Sequence, residues 1–286
     1  MRVDLHTHTT ASDGSLSPGA LIDAAIGEGI CLLAITDHDT LDGVLALNGE
    51  IPAASGEPPQ LITGVEISAC DNVEVHVLGY GVTPSRALLS RLSAMRAERE
   101  TRMLRMIGRL NELGVSVTIE EVSRHAEGPL GRAHLARALM ERGDVSGVRE
   151  AFDRYLAPGK AAYAAREKLP VGQVIDVIRA SGGVPVLAHP GLIPIDEGRL
   201  SGMIAAWREL GLMGIEAFHP GHSRAQCQRF ERLAHRRGIL ITGGSDFHGK
   251  LKPGIRLGDG VAAWSRVRDD MALLREALKQ ASGAVN

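Results

Sequence analysis

The stretch LHTHTTASDG places His6, His8 and Asp13 close together near the start of the chain. Alternate residues of a strand project to one face, so His6 and His8 leave the end of a first strand side by side. Imidazoles placed in this way bind borderline divalent metals, although a single HxH also occurs as a hydrogen-bonded surface pair. The pattern recurs. ITDHDT carries Asp37, His38 and Asp39, GVEIS carries Glu66, VEVHVLGY carries His76, VLAHPG carries His189, and GGSDFHG carries Asp246 and His248. Each group belongs to a short apolar run. Carboxylates and imidazoles gathered without cations would repel one another or stay desolvated, whereas metal ions satisfy them.

Short β-branched runs bounded by Gly, Pro or Asp must position these residues. RVDLHTH, CLLAIT, QLITGVEIS, VEVHVLGY, GVPVLAHP, MGIEAF and GILITGGSD read as strands. Helices are expected between many of them: Pro18 to about Glu28 with Ser17 as N-cap, then Val171–Ala180, Gly198–Leu210 and Ser223–Arg237. Apolar runs with little polar alternation predict strands buried on both faces, hence a parallel or mostly parallel sheet, with a closed barrel as one solution. In such a barrel the C-terminal strand ends converge, and scattered residues become one cluster.

The region 85–168 differs. It reads as consecutive helices, with apolar residues at helical spacing through LSRLSAMRAERETRMLRMIGRLNELG and a stop at Gly114, and is expected as an inserted helical subdomain capping a barrel formed by 1–84 and 169–286. Between Arg86 and Lys168 there are 16 Lys or Arg against 11 Asp or Glu, which leaves 16 against 23 elsewhere. A basic cap over an acidic body suits an anionic substrate; solvated helix faces paired with neighbouring glutamates are the plainer reading of most of these arginines. The net charge of -2 argues against a basic nucleic-acid coat protein. Three scattered cysteines, no basic leader with an apolar run, and apolar stretches too short for a bilayer predict a cytoplasmic protein with no membrane contact.

In combination, DLHTHTTASDGSLSP, AITDHDT, GVEIS, HVLGYG, VLAHPG and GGSDFHG resemble the motifs of the PHP (polymerase and histidinol phosphatase) family of metal-dependent phosphoesterases. Within that family the chain is similar to the branch of nucleoside 3',5'-bisphosphate phosphatases and 5'-3' exoribonucleases, from Asp4 to His248. The resemblance implies an α/β fold, a distorted (β/α)7 TIM-like barrel with an inserted helical subdomain, holding two or three Mn, Fe or Zn ions. It implies one metal on His6, His8, Glu66 and Asp246, a second on Asp13, His38 and His248, and a third on His76 and His189 with Glu66 bridging. Asp13 stands where other branches have histidine, which favours the bisphosphate branch.

Such ions lower the pKa of a bridging water and neutralise phosphate oxygens, so the expected reaction is in-line attack of a metal-bridging hydroxide on phosphorus. Asp37 and Asp39 are expected to orient water or ligand histidines. In the insertion, Arg132 and His134 open a helix in GRAHLARAL and Lys160 sits in the Pro-Gly turn of YLAPGKAAY; both segments resemble those that hold substrate phosphates in the bisphosphatase branch. His222, in HPGHSRAQ, is a further phosphate contact or a histidine beside the capping Ser223. The expected substrate is a small nucleotide such as a 3',5'-bisphosphate, with short 5'-phosphorylated RNA beside it and no obligate protein partner. Hydrolysis of a histidinol-phosphate-like or other phosphomonoester is the alternative within the enzymes, and a non-catalytic metal-binding accessory module is the alternative outside them.

Overall fold

A computed structural model of the chain describes residues 2–48, 57–125, 130–165, 168–261 and 267–283. In order, the elements are β1 (Arg2–Thr7), α1 (Pro18–Gly27), β2 (Ile30–Ile35), α2 (Asp42–Leu45), β3 (Gln60–Cys70), β4 (Glu74–Tyr80), α3 (Arg86–Glu112), α4 (Ile119–Ser123), α5 (Arg132–Glu141) and α6 (Val148–Ala151). They continue as α7 (Val171–Ala180), β5 (Val184–Leu187), α8 (Glu197–Glu209), β6 (Gly214–Phe218), α9 (Arg224–Arg237), β7 (Leu240–Gly243) and α10 (Val267–Gly283). The chain divides into two compact units, Met1–Ser90 with Lys168–Asn286, and Arg91–Glu167.

In the first unit all seven strands form one sheet in sequence order, β1 to β7. β1–β2–β3 and β5–β6–β7 pair in parallel, whereas β4 runs antiparallel to both of its neighbours. Three residues, Asp71 to Val73, join β3 to β4, and so short a link permits an antiparallel turn but no parallel crossover. The direction of β4 therefore departs from the expected convergence of C-terminal strand ends. His76 reaches that end because it lies near the start of a reversed strand, opposite Ser68 in the register. The sheet ladder is not closed: Thr7, at the end of β1, and Phe247, beyond β7, form an isolated parallel bridge, and the His8 N–H donates to Phe247 O at 2.9 Å.

Local chemistry sets the helix boundaries. Ser17 caps α1 by accepting from the Ala20 N–H, with Pro18 at the first helical position, where its missing N–H costs no hydrogen bond. Ser223 caps α9 in a box with Gln226, and Gly238 closes it at φ +60°. Leu21, Ile22 and Ala25 of α1 bury their side chains against Ile30, Leu33 and Ile35 of β2. In the second unit, Met106 and Leu110 of α3 pack with Val122 of α4 and with Leu135 and Leu139 of α5 in a separate apolar core. No helix among the described residues is long and apolar enough to cross a membrane.

Candidate metal centre

Every sequence-derived metal ligand lies at one end of the sheet in the first unit. Glu66, 1% exposed, sits at the middle. Its Oε1 lies 2.9 Å from His76 Nδ1 and 2.9 Å from His189 Nε2; its Oε2 lies 3.2 Å from His6 Nε2, 3.3 Å from His8 Nε2 and 3.1 Å from His38 Nδ1. Five imidazoles thus face one buried carboxylate. Asp13 joins His8, His38 and His248 in a second group, its Oδ1 being 3.3 Å from His248 Nε2 and its Oδ2 3.7 Å from His38 Nε2. Asp246 Oδ1 lies 3.4 Å from His8 Nε2 and 3.7 Å from His6 Nε2. Three sets of donor atoms are close enough to share an ion: His8, Asp13, His38 and His248; His6, His8 and Glu66; and His38, Glu66 and His76. His8, His38 and Glu66 each belong to two of these sets, so two histidines are shared between groups as well as the Glu66 that the sequence-derived assignment already had as a bridge.

The donor set fits divalent ions. Asp13 Oδ1, His38 Nδ1 and Glu66 Oε2 are buried and make no hydrogen bond. Three unpaired polar atoms in one buried cluster are costly without a cation. The two Nε2 atoms of His6 and His8 also face each other at 3.1 Å, as converging lone pairs would. Without ions the electrostatics divide the imidazoles. Burial opposes charge on His6, yet Glu216, Glu66 and Asp246 outweigh it and raise its pKa well above the ordinary value. Burial opposes charge on His8 and His76 too; Asp246, Glu66 and Asp13 around His8, and Glu66 and Glu74 around His76, push both up to about 9. Burial, aided by the charges of His8 and His76, instead takes His38 down to about 3. Against their own burial, Asp13, Glu66 and Asp246 are held well below the carboxylate range by these histidines. Cations placed there would take over a role that bound protons otherwise perform.

Outer atoms of the ligands are held by the surrounding chain. His6 Nδ1 donates to Glu216 Oε1 at 3.0 Å, and His248 Nδ1 donates to the Asp246 carbonyl at 2.8 Å. His219 Nε2 lies 3.4 Å and Lys252 Nζ 2.5 Å from Asp246 Oδ2. Glu216, His219 and Lys252 were not among the sequence-derived site residues. The signal for Glu216 was a carboxylate inside the otherwise apolar run GIEAF, every residue of which is buried. Backbone strain gathers here as well: Asp39, His189 and Asp246 have φ of +51°, +28° and +54°.

Asp37 and Asp39 hold the ligand-bearing backbone, and Asp37 reaches a ligand histidine through Ser12, whose hydroxyl lies 3.4 Å from His8 Nδ1. Asp37 Oδ1 accepts from the Thr9 N–H at 2.7 Å and the Ser12 hydroxyl at 2.6 Å, and its Oδ2 accepts from the Thr9 hydroxyl at 2.7 Å. This shapes the loop that carries Asp13. Gly43 lets the chain pass there, since a Cβ would lie 2.1 Å from Asp37 Oδ2. Asp39 Oδ1 accepts from the Ser68 N–H, and the backbone of Asp37 and Asp39 bonds to Glu66, which sets His38 opposite Glu66.

His222 spends both ring nitrogens on backbone. Nδ1 donates to Ala217 O at 3.1 Å and Nε2 accepts from the Gly191 N–H at 3.0 Å, while burial lowers its pKa. The ring is a strut between the β6 end and the Pro190–Leu192 turn, which leaves no donor for a phosphate. In the second unit, Arg132 is the first residue of α5, half-buried, with its guanidinium 5.5 Å from the Phe152 ring centre and 5.8 Å from that of Tyr163. His134 Nδ1 accepts from the Gly131 N–H at 3.1 Å and closes the helix start. Lys160 is exposed in the turn after Gly159.

An imidazole and carboxylate cluster of this kind, at one end of a seven-stranded α/β sheet, is able to hold divalent ions of the sort that metal-dependent hydrolases use. The chain belongs to the PHP domain family, whose model matches residues 4–158. It is 36% identical over 258 residues to the 5'-3' exoribonuclease Rnm of Escherichia coli, covering 89% of this chain and 87% of that one. To the 3',5'-nucleoside bisphosphate phosphatase of Chromobacterium violaceum it is 34% identical over 250 residues, 86% of this chain and 87% of the relative. Among solved structures, an amidohydrolase from Chromobacterium violaceum with bound sulfate and no metal superposes with a TM-score of 0.76 at 31% identity, covering 90% of each chain.

Proposed function

We propose that the protein hydrolyses the 3'-phosphate of nucleoside 3',5'-bisphosphates and also trims short 5'-phosphorylated RNA from its 5' end. The observation that carries this reading is the buried, hydrogen-bond-orphaned donor set around Glu66, in a chain over one-third identical to enzymes named for these two activities. Two or three divalent ions, with Mn as the first choice, would be held by His6, His8, Glu66 and Asp246; by Asp13, His38 and His248; and by His76 and His189 with Glu66 shared. Bound there, they supply Lewis acidity: a water more acidic than in bulk and positive charge against the phosphate oxygens.

The chain's own residues contribute position. Glu66 presents one oxygen to His76 and His189 and the other to His6, His8 and His38, so a single carboxylate joins five of the ligand imidazoles. Asp37 holds the Thr9–Ser12 loop and with it Asp13. The burial of these groups excludes bulk water and strengthens each electrostatic contact. The Thr7–Phe247 bridge is read as the seam of a distorted (β/α)7 barrel. The helical unit is read as a substrate-binding cap, and Arg132, His134 and Lys160 are assigned the second phosphate on the chemistry of their side chains. Cytoplasmic location completes the reading.

Arg132→Ala tests the substrate class. The catalytic efficiency on adenosine 3',5'-bisphosphate should fall by about 10- to 100-fold, the loss expected for one charge-assisted contact, while an aryl phosphate monoester is hydrolysed at the wild-type rate. Equal losses on both would remove the bisphosphate assignment.

A further inference from the structure

Strand β6 contributes no residue to the ligand set, yet two side chains from its segment touch ligands carried by three other parts of the sheet. We propose that Glu216 and His219 are positioning residues: Glu216 decides which nitrogen of the neutral His6 ring keeps its proton, and His219 sets the orientation of Asp246. The inference deepens the metal-centre reading and rests on it.

Glu216 is fully buried. Its Oε1 accepts from His6 Nδ1 at 3.0 Å and its Oε2 accepts from the backbone N–H of His189 at 2.7 Å. A neutral imidazole has one N–H, so committing it to Nδ1 leaves the lone pair on Nε2, the atom that faces His8 Nε2 at 3.1 Å and Glu66 Oε2 at 3.2 Å. The second oxygen fixes the turn at His189, whose φ of +28° needs an external restraint and whose Nε2 lies 2.9 Å from Glu66. One carboxylate therefore ties a β1 ligand ring to the backbone of the ligand that follows β5.

His219 works on Asp246 in the same way. Its Nδ1 accepts from the Gly221 N–H at 2.9 Å, which puts the ring proton on Nε2, 3.4 Å from Asp246 Oδ2. Lys252 Nζ meets the same oxygen. With Oδ2 held from outside, Oδ1 is left facing His6 and His8. Gly221 belongs to the device, because a Cβ at that position would lie 3.0 Å from His219 Nδ1. A Gln at 216 offers one acceptor and one donor, so it cannot accept from both His6 and His189. A Gln at 219 retains an N–H donor where Nε2 stands, whereas a Leu retains the bulk without the donor.

The test is Mn titration by calorimetry of the chelator-stripped full chain, as wild type, Glu216→Gln, His219→Leu and His219→Gln, with metal-free thermal melts alongside. Dissociation constants for Glu216→Gln and His219→Leu should rise by about 10- to 100-fold, the range for lost outer partners of metal ligands, while His219→Gln stays within about threefold of wild type. In long-range 1H–15N spectra of the metal-free chain at a pH above the His6 titration, the neutral His6 ring should show Nδ1 protonated in the wild type and a tautomer mixture in Glu216→Gln. Wild-type Mn affinity in both Glu216→Gln and His219→Leu would overturn the proposal, as would a His219→Gln loss equal to that of His219→Leu. A wild-type chain that binds no Mn would instead bring down the metal-centre reading itself.

Discussion

Replacing Glu66 by Gln turns one of its two oxygens into an N–H2 group, which donates and cannot ligate. Because Oε1 serves His76 and His189 while Oε2 serves His6, His8 and His38, either amide orientation strips one side of the cluster of its anionic donor. The variant should lose one ion from its binding stoichiometry. An ion at about 100 times its dissociation constant stabilises the folded chain by about 2.7 kcal/mol. At about 2–4 °C per kcal/mol for a chain of roughly this size, that corresponds to about 5–11 °C in Tm. The assay is a pair of thermal melts, in chelator and in excess Mn, with the metal counted after gel filtration. Wild type should show the full Mn-dependent rise, and Glu66→Gln a rise smaller by about that amount. A Glu66→Gln protein with the wild-type stoichiometry and the wild-type rise would refute the bridging role.

Two further outcomes follow from local geometry and charge. A Cβ at Gly244 would lie 2.3 Å from His6 Cβ and 2.5 Å from His6 N, a backbone contact that cannot relax, so Gly244→Ala should cost about 1–3 kcal/mol in urea unfolding and weaken Mn binding at the same time; an unchanged midpoint with unchanged binding would contradict that packing. For the metal-stripped protein, the folded-state pKa values of His8 and His76, raised to about 9 from 6.5, give stability that is fully present below pH 6.5 and lost as pH rises through 9. Its Tm should therefore fall across that window while Mn affinity rises, since the ions take the deprotonated rings; a flat or rising Tm in chelator would count against the charge assignment.

Much of this site was readable before any coordinates, because its ligands sit on short apolar runs whose strand character follows from β-branched content and flanking Gly, Pro and Asp. His6 and His8 are paired by the period of a strand, and Ser17 and Ser223 cap the helices that follow their segments. The direction of β4 was missed although its signal was present: three residues between Cys70 and Glu74 are too few for a crossover. Glu216 and His219 were missed for a different reason. Their partners lie 210 and 27 residues away, and no local pattern encodes which ring a buried carboxylate will orient. Asp37 was singled out for its place beside His38, but the sequence could not show that its partners are Thr9 and Ser12, through which it meets the ring of His8.

The most direct measurement is phosphate release by the Mn-loaded chain from adenosine 3',5'-bisphosphate, beside AMP, histidinol phosphate and a short 5'-phosphorylated RNA, with His8→Ala as control. His8 belongs to two of the three donor groups, so its loss should abolish turnover. Release from the bisphosphate in preference to AMP and histidinol phosphate, absent in His8→Ala and in chelator, together with cleavage of the RNA, is the predicted result. No release from any of the four substrates by a chain that binds Mn stoichiometrically, or turnover that persists in His8→Ala, would contradict it.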